Sequence, residues 1–268
     1  MGVLNWGLYK STDAGGTFRL TNTRNDATGS FDGALPNDEP ASLIIDPTDP
    51  SKVFATFRSI GGAKRAFRSI HAGASWAAID PVNSTAAGLV MDLNDSSVPI
   101  LHGTAGVFYR SSDGGDTWSL PFSGLNDIVA TQMVFDPFDS THLLIAGIRE
   151  FRPEPTSVVV TDVLLESRDG GTTWTDIKAQ LPTSNGYVIA FSPTTQGTVL
   201  VGLDPQKGPY LSLSPTAISF HDVSSGLEAG VANVQTEPLV IAPLGAPVPG
   251  ALFARSTNGL YATEFPGT

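Results

Sequence analysis

The sequence contains no cysteine and few basic residues. The absence of cysteine excludes disulfide bonds and thiolate metal sites. Fifteen Lys and Arg stand against 26 Asp and Glu, which gives a net charge of −11, and no basic run occurs. Binding to a nucleic-acid duplex or to an anionic bilayer relies on clustered Lys and Arg. We therefore expect neither a nucleic-acid partner nor a membrane partner.

Long apolar runs and helical periodicity are also missing. No stretch reaches the roughly 18 to 20 apolar residues of a membrane helix, and the apolar runs are short, alternating or β-branched. With 28 Gly and 20 Pro in a chain that is 41% hydrophobic, this composition indicates many short strands joined by tight turns. The first ten residues show no signal-peptide pattern. We expect an extracellular or periplasmic protein, with any signal peptide outside this sequence.

One eight-residue pattern, Ser-x-Asp-x-Gly-x-Thr-Trp, recurs along the chain, and such repetition marks a repeat architecture. The copies are SSDGGDTW (111–118), SRDGGTTW (167–174), STDAGGTF (11–18), the weaker SIHAGASW (69–76, with His71 in place of Asp) and a faint copy at 212–220. The central residues of the first four copies lie 58, 42 and 56 residues apart. These intervals are near the roughly 40 to 50 residues of a four-stranded propeller blade.

The residue types in this box suit a tight hairpin between two short strands. An Asp carboxylate can accept hydrogen bonds from the backbone N–H groups that follow it, and Gly supplies the positive φ of the reversal. The final aromatic residue returns to a hydrophobic layer. We therefore assign a structural rather than catalytic role to the box residues: Asp13, Gly15, Asp113, Gly115, Trp118, Asp169, Gly171 and Trp174.

These boxes resemble the Asp-box, or BNR, repeat of sialidases, xyloglucanase-type glycoside hydrolases, sortilin-type receptors and a photosystem assembly factor. In those proteins the box lies between the third and fourth strands of a β-propeller blade. The resemblance implies an all-β fold, a single β-propeller over residues 1–268 with four-stranded antiparallel blades. It implies no single function, because the families that share the box have unrelated functions.

Five apolar hairpins alternate with the boxes, at 41–57, 88–103, 132–147, 187–202 and 239–255. The chain begins with a strand-like segment and a box, and it ends on a hairpin followed by GLYATEF. We therefore predict five blades, with a ring closed by strands from both termini, which removes free sheet edges. Six blades remain the alternative, because GLYATEF resembles a third strand in its own right.

Candidate binding residues lie in the segments expected as long loops, since sites tend to form where such loops meet a channel mouth. These loops are 21–40, 58–65, 121–130, 148–162 and 203–209. The 148–162 segment has the densest cluster of charged and aromatic residues, which suits either a ligand carrying a carboxylate or sulfate or an exposed loop whose charges pair with one another. The candidate ligand-binding residues are Arg24, Arg58, Arg65, Arg149, Phe151 and Arg152.

Glycoside hydrolysis needs two carboxylates across a bound sugar. Asp32 or Asp38 against Glu150 or Glu154 would supply such a pair. A sialidase is disfavoured for two reasons. No sequence motif identifies three arginines as the triad that sialidases use, and the segment most similar to their Phe-Arg-Ile-Pro motif is FRPE at 151–154, which lacks the Ile. We predict no metal and no cofactor: the four histidines lack metal-ligand spacing, and His102 is expected to be a hydrogen-bonded structural residue.

Three functions stay open. The first is a carbohydrate-binding or glycan-associated propeller that uses its loop face and channel mouth. The second is a glycoside hydrolase or lyase with paired carboxylates from 21–40 and 148–162. The third is a scaffold that binds another protein. Facing carboxylates would favour the enzyme, and an exposed apolar patch on the loop face would favour the scaffold.

Overall fold

The computed structural model describes residues 8–21, 35, 39–46, 48–58, 66–80, 86–92, 95, 97–103, 106–154, 157–184, 186–192, 195–203, 207–214, 216–222, 240–242, 251–256 and 259–264. In these ranges the chain is all β apart from one 3₁₀ turn. None of the helical structure described is long and apolar enough to cross a membrane. The residue contacts divide the chain into two units, Met1–Pro121 and Phe122–Thr268.

The first unit contains three antiparallel sheets. Their strands are β1 (Tyr9–Lys10) and β2 (Arg19–Leu20); β3 (Glu39–Ile45), β4 (Val53–Arg58), β5 (Ala66–Ser69) and β6 (Ala77–Ala78); and β7 (Ala86–Met91), β8 (Pro99–Gly103) and β9 (Phe108–Arg110). Consecutive strands are neighbours in each sheet. Apolar residues of β4, β7 and β8 form one buried cluster around Phe54, Leu89 and Leu101, and Phe57, Phe67 and Trp76 belong to a second.

The second unit contains three further antiparallel sheets and the 3₁₀ turn (Lys178–Gln180). Their strands are β10 (Ile128–Asp136), β11 (Asp139–Glu154), β12 (Ser157–Ser167) and β13 (Thr175–Asp176); β14 (Tyr187–Phe191), β15 (Val199–Leu203), β16 (Lys207–Ser212) and β17 (His221–Asp222); and β18 (Val240–Ala242), β19 (Ala251–Ser256) and β20 (Gly259–Glu264). Leu144, Leu164 and Val201 pack in one buried cluster between the first two of these sheets.

The five predicted apolar hairpins are confirmed as β3–β4, β7–β8, β10–β11, β14–β15 and β18–β19. The C-terminal GLYATE segment pairs with β19 as a third strand. Of the expected N-terminal strand, residues 3–7 lie outside the described residues. The blade count, the ring closure and the single domain stay predictions.

The boxes form the hydrogen-bonded turns that their residues predict. In the clearest copy, Asp113 accepts the backbone N–H of Thr117 at 2.8 Å and its hydroxyl at 2.6 Å. Ser111 Oγ donates to Asp113 at 2.7 Å and accepts the N–H of Gly115 at 2.8 Å. The hydrogen bonds from Thr117 hold the pKa of Asp113 well below its usual range. Asp13 and Asp169 make the same bonds in their boxes.

The two degraded copies differ in how much of the turn they keep. His71 Nδ1 lies 2.8 Å from Ser75 Oγ, so the histidine serves the turn as predicted. Ser69 Oγ accepts the N–H of Gly73 at 2.9 Å, as the leading serine does in the other boxes. In the 212–220 copy, Ser212 Oγ accepts the N–H of Ser219 at 3.0 Å, and the terminal Phe220 packs against the buried cluster of the second unit.

One buried polar network ties three segments of the second unit together. The His142 ring lies 3.0 Å from Asp136 Oδ2 through Nδ1 and 3.1 Å from Glu166 Oε1 through Nε2. Arg168 contacts the same Glu166 oxygen at 2.7 Å. An imidazole that donates through both nitrogens is the charged form. Burial opposes that charge, but the hydrogen bonds to Asp136 and Glu166 outweigh burial and raise the pKa of His142.

His102 is buried but is not the hydrogen-bonded residue that the sequence predicts. Its Nδ1 has no hydrogen-bond partner, and burial lowers the pKa of the ring to about 4. A side chain at Gly88 on the neighbouring strand would overlap the ring. The imidazole is therefore neutral and packs as an aromatic ring beside Phe108.

The fold predicts a cost for any side chain at Gly171. Its φ is +92°, and a Cβ there would overlap the Phe122 ring, so Gly171→Ala adds both backbone strain and overpacking. We expect a loss of about 2–4 kcal/mol in the free energy of unfolding, measured by urea denaturation. Gly186→Ala is the control, because that site has open space around it and no positive φ. Equal losses in the two variants would contradict this packing.

The His142 network predicts a dependence of stability on pH. Because the pKa of His142 is raised and that of Glu166 is lowered, the network's stabilisation is lost above roughly pH 6.5 as His142 deprotonates. It is lost below roughly pH 4.3 as Glu166 becomes protonated. We expect His142→Gln to cost about 3 kcal/mol between those values and less at about pH 8. The exposed His221→Gln is the control, and a pH-independent cost for His142→Gln would refute the charged network.

Candidate functional site

Residues 148–154 and 157–162 of the segment predicted as a loop are paired strands of a long hairpin. Residues of β11 and β12 pair in register from Leu143 and Ser167 to Phe151 and Val159, and again at Glu154 and Ser157. The prediction is wrong because the charged residues of β11 interrupt the apolar alternation by which a strand is predicted from sequence. A register shift between Phe151 and Glu154 accommodates Pro153, which cannot donate a ladder hydrogen bond.

The end of this hairpin extends beyond its neighbouring strands. On one side, β10 pairs with β11 as far as Arg149, and the N–H of Glu150 still bonds to Asp127 O at 2.8 Å. On the other side, β13 pairs with β12 only at Leu165 and Glu166. Residues 150–154 and 157–161 thus form a two-stranded projection, called the arm below.

The arm exposes apolar side chains to solvent. Phe151 is 61% exposed, and Val158, Val159 and Val160 are 44%, 45% and 52% exposed. Phe151 lies opposite Val159 in the register, so a phenylalanine and a valine share one face of the arm. All five residues of the 157–161 strand are exposed, and none of them carries a charge.

Two arginines predicted as ligand-binding, Arg149 and Arg152, each pair with a carboxylate. Arg149 Nε lies 2.9 Å from Asp127 Oδ2, and Arg152 lies 3.5 Å from Glu150. Both pairs are partly exposed, so each contributes little to stability. Of the two hypotheses for this segment, the arrangement of Arg149 and Arg152 follows the one in which opposite charges pair.

A groove runs beside the β12 edge at the base of the arm, with a volume of about 430 Å³. Lys178 Nζ donates to the backbone oxygen of Asp162 at 2.8 Å and lies 3.6 Å from Asp176. Among the described residues, no strand pairs with this edge of β12 beyond Asp162, toward residue 157. The groove's polar lining is Thr161, Asp162, Lys178, Thr183, Ser184 and Tyr187.

The surroundings of Tyr187 in the groove disfavour ionisation of its phenol. Burial raises the pKa of the Tyr187 phenol, and the charges of Asp162 and Asp176 raise it further. The phenol therefore stays protonated. A row of hydroxyl groups around one lysine and one aspartate can hydrogen-bond a neutral polyhydroxyl ligand. Sequence reasoning missed this site, because its residues come from three segments and carry no motif.

The predicted catalytic residues are not assembled in the described structure. Glu150 and Glu154 lie on the arm, and neither lines the groove. Asp32 and Asp38, with Arg24 and Arg65, lie outside the described residues. Arg58 ends β4 in the first unit. The pairing of a carboxylate from 21–40 with Glu150 or Glu154 therefore stays a prediction.

Comparison with solved structures identifies β-propellers. The GH74 xyloglucanase from Xanthomonas campestris matches 86% of this chain at 19% identity, with a TM-score of 0.58. YCF48 from Cyanidioschyzon merolae matches 88% of this chain and 70% of its own length at 13% identity, with a TM-score of 0.56. The gluconolactonase XC5397 from Xanthomonas campestris matches 85% of this chain and 72% of its own length at 12% identity, with a TM-score of 0.52.

Neither a protein-family model nor a curated protein sequence matches the chain. The chain spans 31% of the length of the GH74 enzymes that it matches. At these identities the likeness concerns the fold, and the four-stranded antiparallel sheets agree with it. The structural neighbours of this chain are therefore β-propellers, with GH74 xyloglucanase and YCF48 among them, as its Asp boxes predict.

Proposed function

We propose that this chain is a protein-interaction module that binds its partner through the arm. The observation that carries the proposal is the run of exposed apolar residues on a projecting hairpin, Phe151 and 158–160. A single exposed apolar residue is ordinary. Here both faces of one projecting hairpin expose apolar side chains, Phe151 and Val159 on one face and Val158 and Val160 on the other, and such a concentration marks an interaction surface. The strand beside them also presents backbone donors and acceptors that no described strand satisfies.

The glycoside hydrolase hypothesis gains less support from the described residues. Such an enzyme holds its acid and its base or nucleophile on either side of a bound sugar. Glu150 is paired with Arg152, and Glu154 is exposed near the end of the arm. A projection of this kind leaves the ligand in water, whereas a catalytic pair works in a concave site.

Glycan binding is the second candidate, and the groove beside β12 favours it. Its threonine, serine and tyrosine hydroxyls are both donors and acceptors, as hydroxyl groups of a sugar require. Asp162 and Lys178 add one acceptor and one donor. Because Asp162 and Asp176 disfavour further negative charge, the ligand of this groove is a neutral oligosaccharide rather than a sugar acid.

The arm proposal predicts that a charge on the uncharged strand of the arm weakens partner binding. Val158→Lys keeps the exposed strand but adds a desolvation cost at the contact. We expect at least a 10-fold loss of the captured partner, corresponding to about 1.4 kcal/mol or more, in quantitative pull-downs from the source organism. Leu43→Lys is the matched control, since Leu43 is an exposed strand residue outside the arm. Equal recovery with both variants would remove the proposal.

The groove hypothesis predicts a thermal shift with neutral oligosaccharides. A ligand at 100 times its dissociation constant stabilises the fold by about 2.7 kcal/mol. Thr183→Val removes one hydroxyl of the groove and should reduce the shift, whereas Phe151→Ser on the arm should leave it unchanged. A panel in which no oligosaccharide raises the melting temperature of the wild type would exclude this second candidate.

A further inference from the structure

We infer that the arm edge 157–161 pairs with the same edge of a second copy of this chain, giving a two-fold symmetric dimer. The inference rests on the proposed function, because it names a partner for the same surface. Its basis is the juxtaposition of three features. Among the residues that the structure describes, no strand pairs with this edge; the edge is uncharged, and its sequence is complementary to itself.

The first feature is the open edge of β12. Pairing with β13 covers Leu165 and Glu166, the N–H of Ile177 bonds to Leu164 O at 2.8 Å, and Lys178 occupies the Asp162 carbonyl. Among the described residues, no lateral strand continues past that point, and residues 157–161 are all exposed. Their outward N–H and C=O groups match the backbone of another extended strand.

The second feature is the absence of the residues that normally protect such an edge. Exposed edge strands commonly carry a lysine, a proline or a bulge that prevents pairing with another chain. The strand Ser-Val-Val-Val-Thr has no charge and no proline, and three β-branched valines favour extended backbone. The charges and the proline of the arm lie on the opposite strand, at Glu150, Arg152, Pro153 and Glu154.

The third feature selects a second copy over an unrelated peptide. A two-fold axis makes two identical strands antiparallel and pairs the same patch with itself. Centred on Val159, this pairing places Val159 opposite Val159, Val158 opposite Val160 and Ser157 opposite Thr161. Each pair joins two β-branched or two hydroxyl side chains, combinations that stabilise neighbouring strands. No like charges face each other within the five pairs.

The size and charge of the contact determine how the dimer behaves. Five residue pairs form a small interface, so the association is of the weak, concentration-dependent class. Each copy carries a net charge of −11, and this repulsion is screened by salt. Association should therefore strengthen as ionic strength rises, whereas an interface held by ion pairs would weaken.

Sedimentation equilibrium of the purified chain tests the dimer directly. We expect the average mass to rise from the monomer value of 28.0 kDa toward twice that value with increasing protein and salt concentration. Val159→Lys and Val159→Glu should each remain monomeric, because each places like charges directly opposite. An equimolar mixture of the two should dimerise again, and Val159→Thr should dimerise like the wild type.

A cysteine scan tests the register without relying on the charged variants. Because the chain has no cysteine, Val159→Cys introduces one thiol per copy. Directly opposite residues have Cα atoms about 4.5–5.5 Å apart, which permits a disulfide. Mild oxidation with diamide should link Val159→Cys into a dimer, whereas Ser157→Cys should stay unlinked, because its counterpart lies about four residues away along the strand.

A wild type that stays monomeric throughout the concentration series, or equal cross-linking at both positions, would overturn the dimer. Failure of the lysine and glutamate variants to associate when mixed would also overturn this register. None of these results affects the proposed function, because the arm would then bind a partner other than a second copy of this chain. Loss of capture in the Val158→Lys pull-down would still support that function, whereas unchanged capture would remove it.

Discussion

The fold depends on a carboxylate that holds a backbone turn. In the three clear boxes, one Asp accepts both the N–H and the hydroxyl of the Thr four residues later. The leading Ser fixes the same turn from its other side by accepting a glycine N–H. Since these bonds are local, each hairpin can form its turn independently, and the neighbouring sheets then bury the apolar strands that it connects.

Two buried histidines show how differently the same side chain is used between these strands. His142 lies between two carboxylates, so its charge is compensated and its pKa is raised. His102 has an unpaired Nδ1 and a pKa of about 4, because burial without a counter-charge favours the neutral ring. The first histidine links the β10–β11 turn to the neighbouring strand. The second fills space beside a glycine on the adjacent strand.

The two surfaces proposed as binding sites lie where strands of the second unit extend beyond their neighbours. Strands β11 and β12 run past β10 and β13, so their ends gain solvent on both sides. The strand end that projects carries valines, whereas the part nearest the sheet borders a hydroxyl-lined groove. An apolar edge suits a protein strand, and a hydroxyl-lined groove suits a small polar molecule. The two surfaces adjoin at Val160 and Thr161.

The sequence by itself determined the all-β architecture, the boxes and the five hairpins, because these depend on interactions within a few residues. It could not reveal that residues 148–154 and 157–162 are strand. The charges of Glu150, Arg152 and Glu154 are also typical of a loop, and only pairing with β12 settles the conformation. Nor could it reveal the groove or the His142 network, whose members are distant in sequence. Tertiary structure decided these features, since strand length, edge exposure and charge compensation depend on which segments become neighbours.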